Sequence, residues 1–241
     1  MKKRLKKLVI AIAAAVVLCG GVLCIYAADY YRADETAEKA LKSTETVSVE
    51  TTGGMAVFCP ENAEAGFIFY PGGKVEYTAY APLMHSLAEN NIACIITKMP
   101  FNLAVMDINA ADKAYERIAD IDRWYIGGHS LGGSMAAAYL DKTENNFEGL
   151  VLLASYSTAD LTDNSVEVLS LYGSNDGVLD MESYRENFPN LPENTAEIII
   201  DGGNHAQFGS YGVQKGDGEA VISAEEQLGV TAESIVSFIK E

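Results

Sequence analysis

The chain has 241 residues, of which 49% are hydrophobic, and a formal net charge of -17. It is long enough to bury the core of one α/β domain. Five of its 17 Lys and Arg residues precede residue 8, so the rest of the chain carries 12 basic against 34 acidic residues. Such an acidic body repels phosphate backbones, which argues against nucleic acid as a partner.

The first predicted element is a membrane span. Residues 8–28 contain no charged residue, and about 21 residues at roughly 1.5 Å each cross the apolar core of a bilayer. Basic residues precede this run and Asp29 follows it, which predicts an uncleaved anchor over 1–28 with the rest of the chain outside the cell. A cleaved signal peptide, giving a secreted protein, is the alternative. Ile25 or Tyr26 occupies the place where cleavage requires a small residue, which favours the anchor.

The body of the chain predicts one α/β domain. Residues 29–46 are polar and predict a juxtamembrane stalk, and the domain is predicted over 47–241. Apolar runs of four to eight residues separated by helices are typical of a mostly parallel sheet covered on both faces. Eight strands are predicted, at 47–50, 55–59, 66–70, 92–97, 124–126, 149–154, 166–172 and 196–200. Helices are predicted at 77–89, 103–118, directly after Ser130, at 181–187 and at 231–240.

A serine lies between the fifth strand and the helix that follows it. Gly128-x-Ser130-x-Gly132 is the pattern of a nucleophile elbow, a sharp turn that exposes a serine hydroxyl. Small residues two positions to either side of the serine let the neighbouring backbone approach. Ser130 is therefore the predicted nucleophile, and the adjacent His129 is predicted to pack in the interior.

An acid and a histidine follow the next strands. Ligands of parallel sheets bind at the carboxyl ends of the strands. Asp176 follows the seventh strand and His205 the eighth, and the order Ser130, Asp176, His205 matches that of nucleophile-elbow enzymes. An aspartate in this place orients the histidine, which then acts as the base. Asp180 is the second candidate for the acid.

The third strand leads into Pro71-Gly72-Gly73-Lys74. A tetrahedral oxyanion needs two convergent amide donors, for which the candidates are Gly73 and Leu131. Gly72 and Lys74 are candidates for substrate contact. The alternatives are an ordinary Pro-Gly turn and a solvated lysine.

Five segments resemble the α/β-hydrolase fold family: YPGGKVEY (70–77), MPFNLA (99–104), GHSLGG (128–133), YGSNDGV (172–178) and GGNHAQFG (202–209). The resemblance covers nearly all of 47–241 and is greatest to small bacterial dienelactone-hydrolase-like and carboxylesterase-like members. It implies a Ser/Asp/His triad and no metal or organic cofactor. Two departures bear on the substrate. Only 155–165 is available where many members insert a lid, and dienelactone hydrolases typically use cysteine where this chain has Ser130.

These observations predict a membrane-anchored serine hydrolase that acts outside the cell on a small-molecule carboxylic ester. Amidase, peptidase or thioesterase activity would use the same residues, and a non-catalytic binding module on the same fold is a further alternative. With three histidines and no C-x-x-C, the chain predicts no metal site. The oligomeric state stays open, and Cys59 and Cys94 either pair or remain thiols.

Overall fold

The computed structural model describes residues 4, 6–7, 10, 12–14, 17–18, 20–21, 28–118 and 121–240. They divide into two units, Met1–Tyr30 and Tyr31–Glu241. The predicted membrane span, 8–28, falls largely outside the described residues. Within the described residues, no helix has the length and apolar character needed to cross a membrane.

The predicted eight-stranded, mostly parallel sheet is confirmed. Its spatial order is β1-β2-β4-β3-β5-β6-β7-β8. The β1/β2 and β2/β4 pairs are antiparallel, and all other pairs are parallel. The strands are β1 Val47–Thr52, β2 Met55–Pro60, β3 Ala65–Tyr70, β4 Ile92–Thr97, β5 Trp124–His129, β6 Gly149–Leu153, β7 Glu167–Gly173 and β8 Ala196–Ile200. The central strands β3, β4 and β5 are buried along their whole length, because helices cover both faces.

The α-helices of the second unit are α1 Glu35–Ala40, α2 Ala81–Glu89, α3 Ala110–Tyr115, α4 Leu131–Leu140, α5 Met181–Asn187 and α6 Ala224–Lys240. Helices α2 and α6 pack on one face of the sheet, around Phe67 and Ile235. Helices α3 and α4 pack on the other face, around Ile68 and Ala137. This three-layer packing fixes the carboxyl ends of the parallel strands, where the predicted site residues lie.

Two predicted helices have different bounds in the structure. The helix predicted over 103–118 is replaced by a short 3-10 turn, Ala104–Met106, and by α3, which begins only at Ala110. Asp107, with φ -152° and ψ 69°, separates the two. The helix predicted from 231 begins at Ala224, because the Ser223 hydroxyl accepts the Glu226 amide while the Glu226 carboxylate accepts the Ser223 amide. This reciprocal pair is a capping box.

Most of the segment predicted as a stalk, from Tyr31 onward, belongs to the second unit and makes contacts within it. The Tyr31 amide donates to the Lys74 carbonyl at 2.8 Å, and the Glu76 amide donates to the Tyr31 carbonyl at 2.8 Å. Asp34 caps α1 by accepting the amides of Thr36 and Ala37. The domain boundary at residue 47 stays a prediction, but the chain from Tyr31 onward lies against the loop after β3.

The two cysteines of this unit are free thiols. Strand β2 pairs with β4 so that Phe58 lies opposite Cys94. Directly opposed residues share a face of the sheet and successive residues alternate, so Cys59 and Cys94 belong to opposite faces. That placement explains why they do not pair.

Candidate active site

Ser130 occupies a strained turn between β5 and α4. Its backbone has φ 52° and ψ -123°, a region that costs a non-glycine residue about 1–3 kcal/mol and persists only where the surroundings enforce it. Here the Ser130 amide donates to the Leu153 carbonyl at 2.9 Å, and the Ser155 hydroxyl donates to the Ser130 carbonyl at 2.7 Å. Both backbone groups of Ser130 are thereby tied to the end of β6.

The glycines two positions before and after Ser130 are required by close backbone contacts. A Cβ on Gly128 would lie 2.5 Å from the Gly132 carbonyl carbon. A Cβ on Gly132 would overlap the carbonyl oxygens of Tyr70 and Pro71 at the end of β3. The elbow therefore packs directly against the loop that holds the predicted oxyanion donor.

Gly132→Ala is expected to destabilise the protein by about 1–3 kcal/mol or more, because backbone atoms must move to admit the methyl group. Gly229→Ala is the matched control, because Gly229 lies in α6 with nothing within 4 Å of a new Cβ. It is expected to stabilise the protein by about 0.5–1 kcal/mol. Urea denaturation measures both changes. Equal midpoints for the two variants would contradict the close packing of the elbow.

The structure brings Asp176 and His205 into direct contact. Asp176 Oδ2 lies 2.8 Å from His205 Nδ1, and both side chains are only 1% exposed. The other carboxylate oxygen, Oδ1, accepts the amides of Val178 at 2.8 Å and Leu179 at 2.7 Å. The carboxylate is thus fixed by its own loop and holds the imidazole by one nitrogen.

Asp180, the second candidate for the acid, has a different role in the structure. Its carboxylate caps α5 by accepting the amides of Glu182 and Ser183 at 3.0 and 3.2 Å. The Ser183 hydroxyl donates to its second oxygen at 2.9 Å. These bonds occupy both carboxylate oxygens of Asp180 at the start of α5.

The second ring nitrogen of His205, Nε2, takes no part in the bond to Asp176. Nε2 is buried and makes no hydrogen bond within the part of the chain that the structure describes. Ser130 and His205 Nε2 therefore share no hydrogen bond in the described part of the chain; between a nucleophile and its base, such a bond often tightens only when substrate binds. Ser130 and the loop of Asp176 share a cavity of about 240 Å³. Among its lining residues are Ser130, Ser134, Ser155, Tyr156, Val178 and Leu179.

In the loop after β3, residues 72–74, two of the three amides have hydrogen-bond partners among the described residues. The Gly72 amide donates to the Tyr80 hydroxyl at 3.0 Å, and the Lys74 amide donates to the Asn102 carbonyl at 2.7 Å. The Gly73 amide makes no hydrogen bond to any described residue. A Cβ on Gly73 would lie 3.1 Å from the Leu131 side chain. Leu131 itself begins α4, where helix amides lack intrahelical acceptors.

Sequence reasoning did not identify Tyr80. Its buried hydroxyl lies 2.8 Å from His129 Nδ1 and also accepts the Gly72 amide. The His129 ring lies 4.4 Å from the His205 ring, centroid to centroid. Burial, together with the proximity of His205, holds the pKa of His129 well below its usual range. His129 is thus a neutral interior group, and Tyr80 links it to the loop after β3.

No three His, Cys, Asp or Glu side chains in the described ranges are placed to share an ion.

Known proteins resemble this chain both in sequence profile and in fold. The profile of a family described as "Alpha/beta hydrolase family" matches residues 66–229. No curated protein matches the sequence significantly. Solved structures do match, and the three described here are each 14% identical to this chain. Est1E from Butyrivibrio proteoclasticus has a TM-score of 0.57 and covers 82% of this chain and 100% of its own.

Two further solved structures have the same fold. TT1662 from Thermus thermophilus has a TM-score of 0.60, with 80% of this chain and 97% of that chain covered. The monoacylglycerol lipase of Paleococcus ferrophilus has a TM-score of 0.57, with 79% and 99% covered. At this level of identity the likeness concerns the fold alone.

Proposed function

Because this chain belongs to the alpha/beta hydrolase family, we propose that it is a serine hydrolase that cleaves carboxylic esters through an acyl-enzyme. The observation that carries the proposal is the buried Asp176–His205 pair, joined at 2.8 Å, beside a serine held in a strained elbow. Burial strengthens the hydrogen bond of the pair, and backbone strain of the kind seen at Ser130 is typical of functional sites. Esterase and lipase names among proteins of the same fold agree with this class of substrate.

Each group has a defined task in this mechanism. Ser130 Oγ attacks the ester carbonyl while its proton passes to His205 Nε2, and Asp176 stabilises the resulting imidazolium. The amides of Gly73 and Leu131 hold the oxyanion. The C–O bond breaks and the alcohol leaves with the proton from His205. Water then attacks the acyl-enzyme, again giving its proton to His205, and the acid is released as Ser130 recovers its hydroxyl.

Hydrolysis of p-nitrophenyl butyrate by the full-length protein in mild detergent tests the proposal. The expected result is saturable release of nitrophenol that stops after treatment with a fluorophosphonate. The matched anilide and thioester, assayed together with the ester, distinguish an amidase or a thioesterase. A folded protein that cleaves none of the three would leave the non-catalytic binding module as the better account.

The acyl group is proposed to be short. The cavity at Ser130, about 240 Å³, is below the roughly 300–1,000 Å³ of pockets for drug-sized ligands. The connection from β6 to β7, residues 154–166, contains no helix that could cover a long chain. The Asn190 side chain also donates to the Ser157 carbonyl at 3.0 Å, which ties this connection down. Little apolar surface is left for additional methylenes.

For nitrophenyl esters of increasing acyl length, kcat/KM is expected to stop rising below about eight carbons. A methylene that is fully buried contributes about 0.8 kcal/mol, or about fourfold in kcat/KM. Leu179→Ala enlarges the cavity and should move the preferred acyl chain towards longer esters. A steady rise beyond about eight carbons in the unmodified protein, or activation at a lipid surface, would contradict the short-acyl proposal.

We also propose that residues 8–28 anchor the protein in the cell membrane and that the catalytic unit lies outside the cell. The proposal rests on the charge-free run and on the basic residues that precede it. Protease added to intact cells should then degrade the catalytic unit, while the membrane fraction retains a fragment that begins at Met1. Recovery of the protein from the medium with a new N-terminus near Asp29 would show a cleaved signal peptide instead.

A further inference from the structure

Residues 209–219, which follow the histidine loop and are called the strap below, carry no role in the mechanism above. The strap contains four of the chain's glycines and one buried aromatic side chain, Tyr211. It returns from the His205 loop to the Asp176 loop. Within the strap, the side chain of Asp217 contacts both loops.

The Asp217 carboxylate accepts four backbone amides. Oδ1 accepts from Gly177 at 3.1 Å, from His205 at 3.2 Å and from Gly218 at 2.8 Å. Oδ2 accepts from Ala206 at 2.8 Å. Gly177 directly follows the acid of the proposed triad, and Ala206 directly follows the base. One side chain therefore joins the two loops that carry Asp176 and His205.

Side-chain amides on both loops reinforce this junction. The Asn175 side chain donates to the Glu219 carbonyl at 2.8 Å, and the Asn204 side chain donates to the Gly218 carbonyl at 2.9 Å. A Cβ on Gly218 would overlap the Asn175 carbonyl oxygen, so the strap lies directly on the acid loop. The residue before the acid and the residue before the base thus contact neighbouring positions of the strap.

The other end of the strap is fixed to the body of the unit. The Ser210 amide donates to the Ala79 carbonyl at 2.8 Å, and the Asp34 amide donates to the Ser210 carbonyl at 2.9 Å. The Lys215 amide donates to the Tyr31 hydroxyl at 3.0 Å. Because Ser210 and Lys215 bond to the body of the unit, Asp217 is connected to that body as well as to the two loops.

We propose that Asp217 is a positioning residue that sets the distance between Asp176 and His205 and directs the His205 ring towards Ser130. The proposal rests on the serine hydrolase function proposed above. Within the described residues, the Asp217 side chain accepts only backbone amides, three from the two loops and one from Gly218 in the strap, so it acts through the placement of the triad and not on the substrate. A displacement of about 1 Å at such a site can lower the rate by about a hundredfold.

Asp217→Asn tests the proposal, because it keeps the shape but replaces one acceptor oxygen with an NH₂ group that cannot accept an amide proton. We expect kcat to fall by about ten- to a hundredfold, while KM changes by less than about threefold. Rates are taken per active site, counted by fluorophosphonate titration. The far-downfield proton resonance of the Asp176–His205 hydrogen bond should also shift or broaden.

Asp160→Ala is the matched control. The Asp160 carboxylate likewise accepts local hydrogen bonds, from the amide and hydroxyl of Thr162, and among the described residues it makes no hydrogen bond to either triad loop. Its kcat and its downfield resonance should equal those of the unmodified protein. If Asp217→Asn also retains the unmodified kcat and resonance, the positioning role is wrong.

Asn175→Ala keeps the test decisive if Asp217→Asn does not fold. It removes an exposed bond between the strap and the acid loop and should lower kcat by about three- to tenfold with KM unchanged. Unchanged kcat in this variant would then overturn the proposal. If the proposed serine hydrolase function itself is wrong, the result is distinguishable, because the unmodified protein would then cleave no ester.

Discussion

Replacing Ser130 with alanine is expected to remove nearly all turnover, by a factor on the order of 10⁶ in kcat. The substitution deletes the atom that forms the acyl-enzyme, and no other hydroxyl occupies the elbow. Ser134 and Ser155 line the same cavity, but they are engaged: the Ser134 hydroxyl donates to the Tyr156 carbonyl at 2.7 Å, and the Ser155 hydroxyl donates to the Ser130 carbonyl. Initial rates on a short nitrophenyl ester measure the loss, with folding checked by circular dichroism.

His205→Ala should lower kcat by a similar factor. The kcat of the Ser130/His205 double variant should be little lower than that of either single variant. Members of a triad act as a unit, so the losses do not add. The residual rate above that of water would come from substrate binding and the Gly73 and Leu131 amides. Additive losses, or a folded His205→Ala protein that remains active, would show that the base has been misassigned.

Asp176→Asn is expected to lower kcat by up to about 10⁴-fold, the second large effect. The amide leaves the fold of the loop in place but favours the wrong tautomer of His205, whose Nδ1 now lies 2.8 Å from the carboxylate. The measurement is kcat/KM on the same ester, per mole of protein, with folding checked by circular dichroism.

Asp180→Asn is the matched control for this prediction. Asparagine caps helices about as well as aspartate, so the amides of Glu182 and Ser183 keep their acceptor. A change in kcat of less than about threefold is expected. A severe loss of kcat in Asp180→Asn, together with a mild loss in Asp176→Asn, would show that Asp180 is the acid and that Asp176 has been misassigned.

The parts of the fold that could be predicted are those that depend on residues close together in the sequence. Apolar runs and glycine turns predicted the eight strands, because a buried parallel strand needs an uninterrupted apolar run. The elbow was recognisable because Gly128 and Gly132 are required by steric contacts at fixed spacing from Ser130. The loops of Asp176 and His205 followed from the rule that sites form at the carboxyl ends of strands.

The parts that could not be predicted depend on contacts between distant residues. Asp217 lies 40 positions from Gly177, whose amide it accepts, and Tyr80 lies 49 positions from His129. Neither residue belongs to a motif, so no local pattern distinguishes them from a loop acid and a core tyrosine. The prediction of a helix from residue 103 was wrong for a related reason. Its sequence permits a helix, but Asn102, with φ 55°, makes a tight turn that accepts the Lys74 amide.

The most direct test of the account is to react the full-length protein with a fluorophosphonate and locate the adduct by mass spectrometry. We expect one adduct per chain, on Ser130, with no adduct in Ser130→Ala and much slower labelling in His205→Ala. These results would identify Ser130 as the activated nucleophile and His205 as the group that activates it. An adduct on Ser134 or Ser155 instead, or labelling of Ser130 at the same rate without His205, would contradict the proposed mechanism.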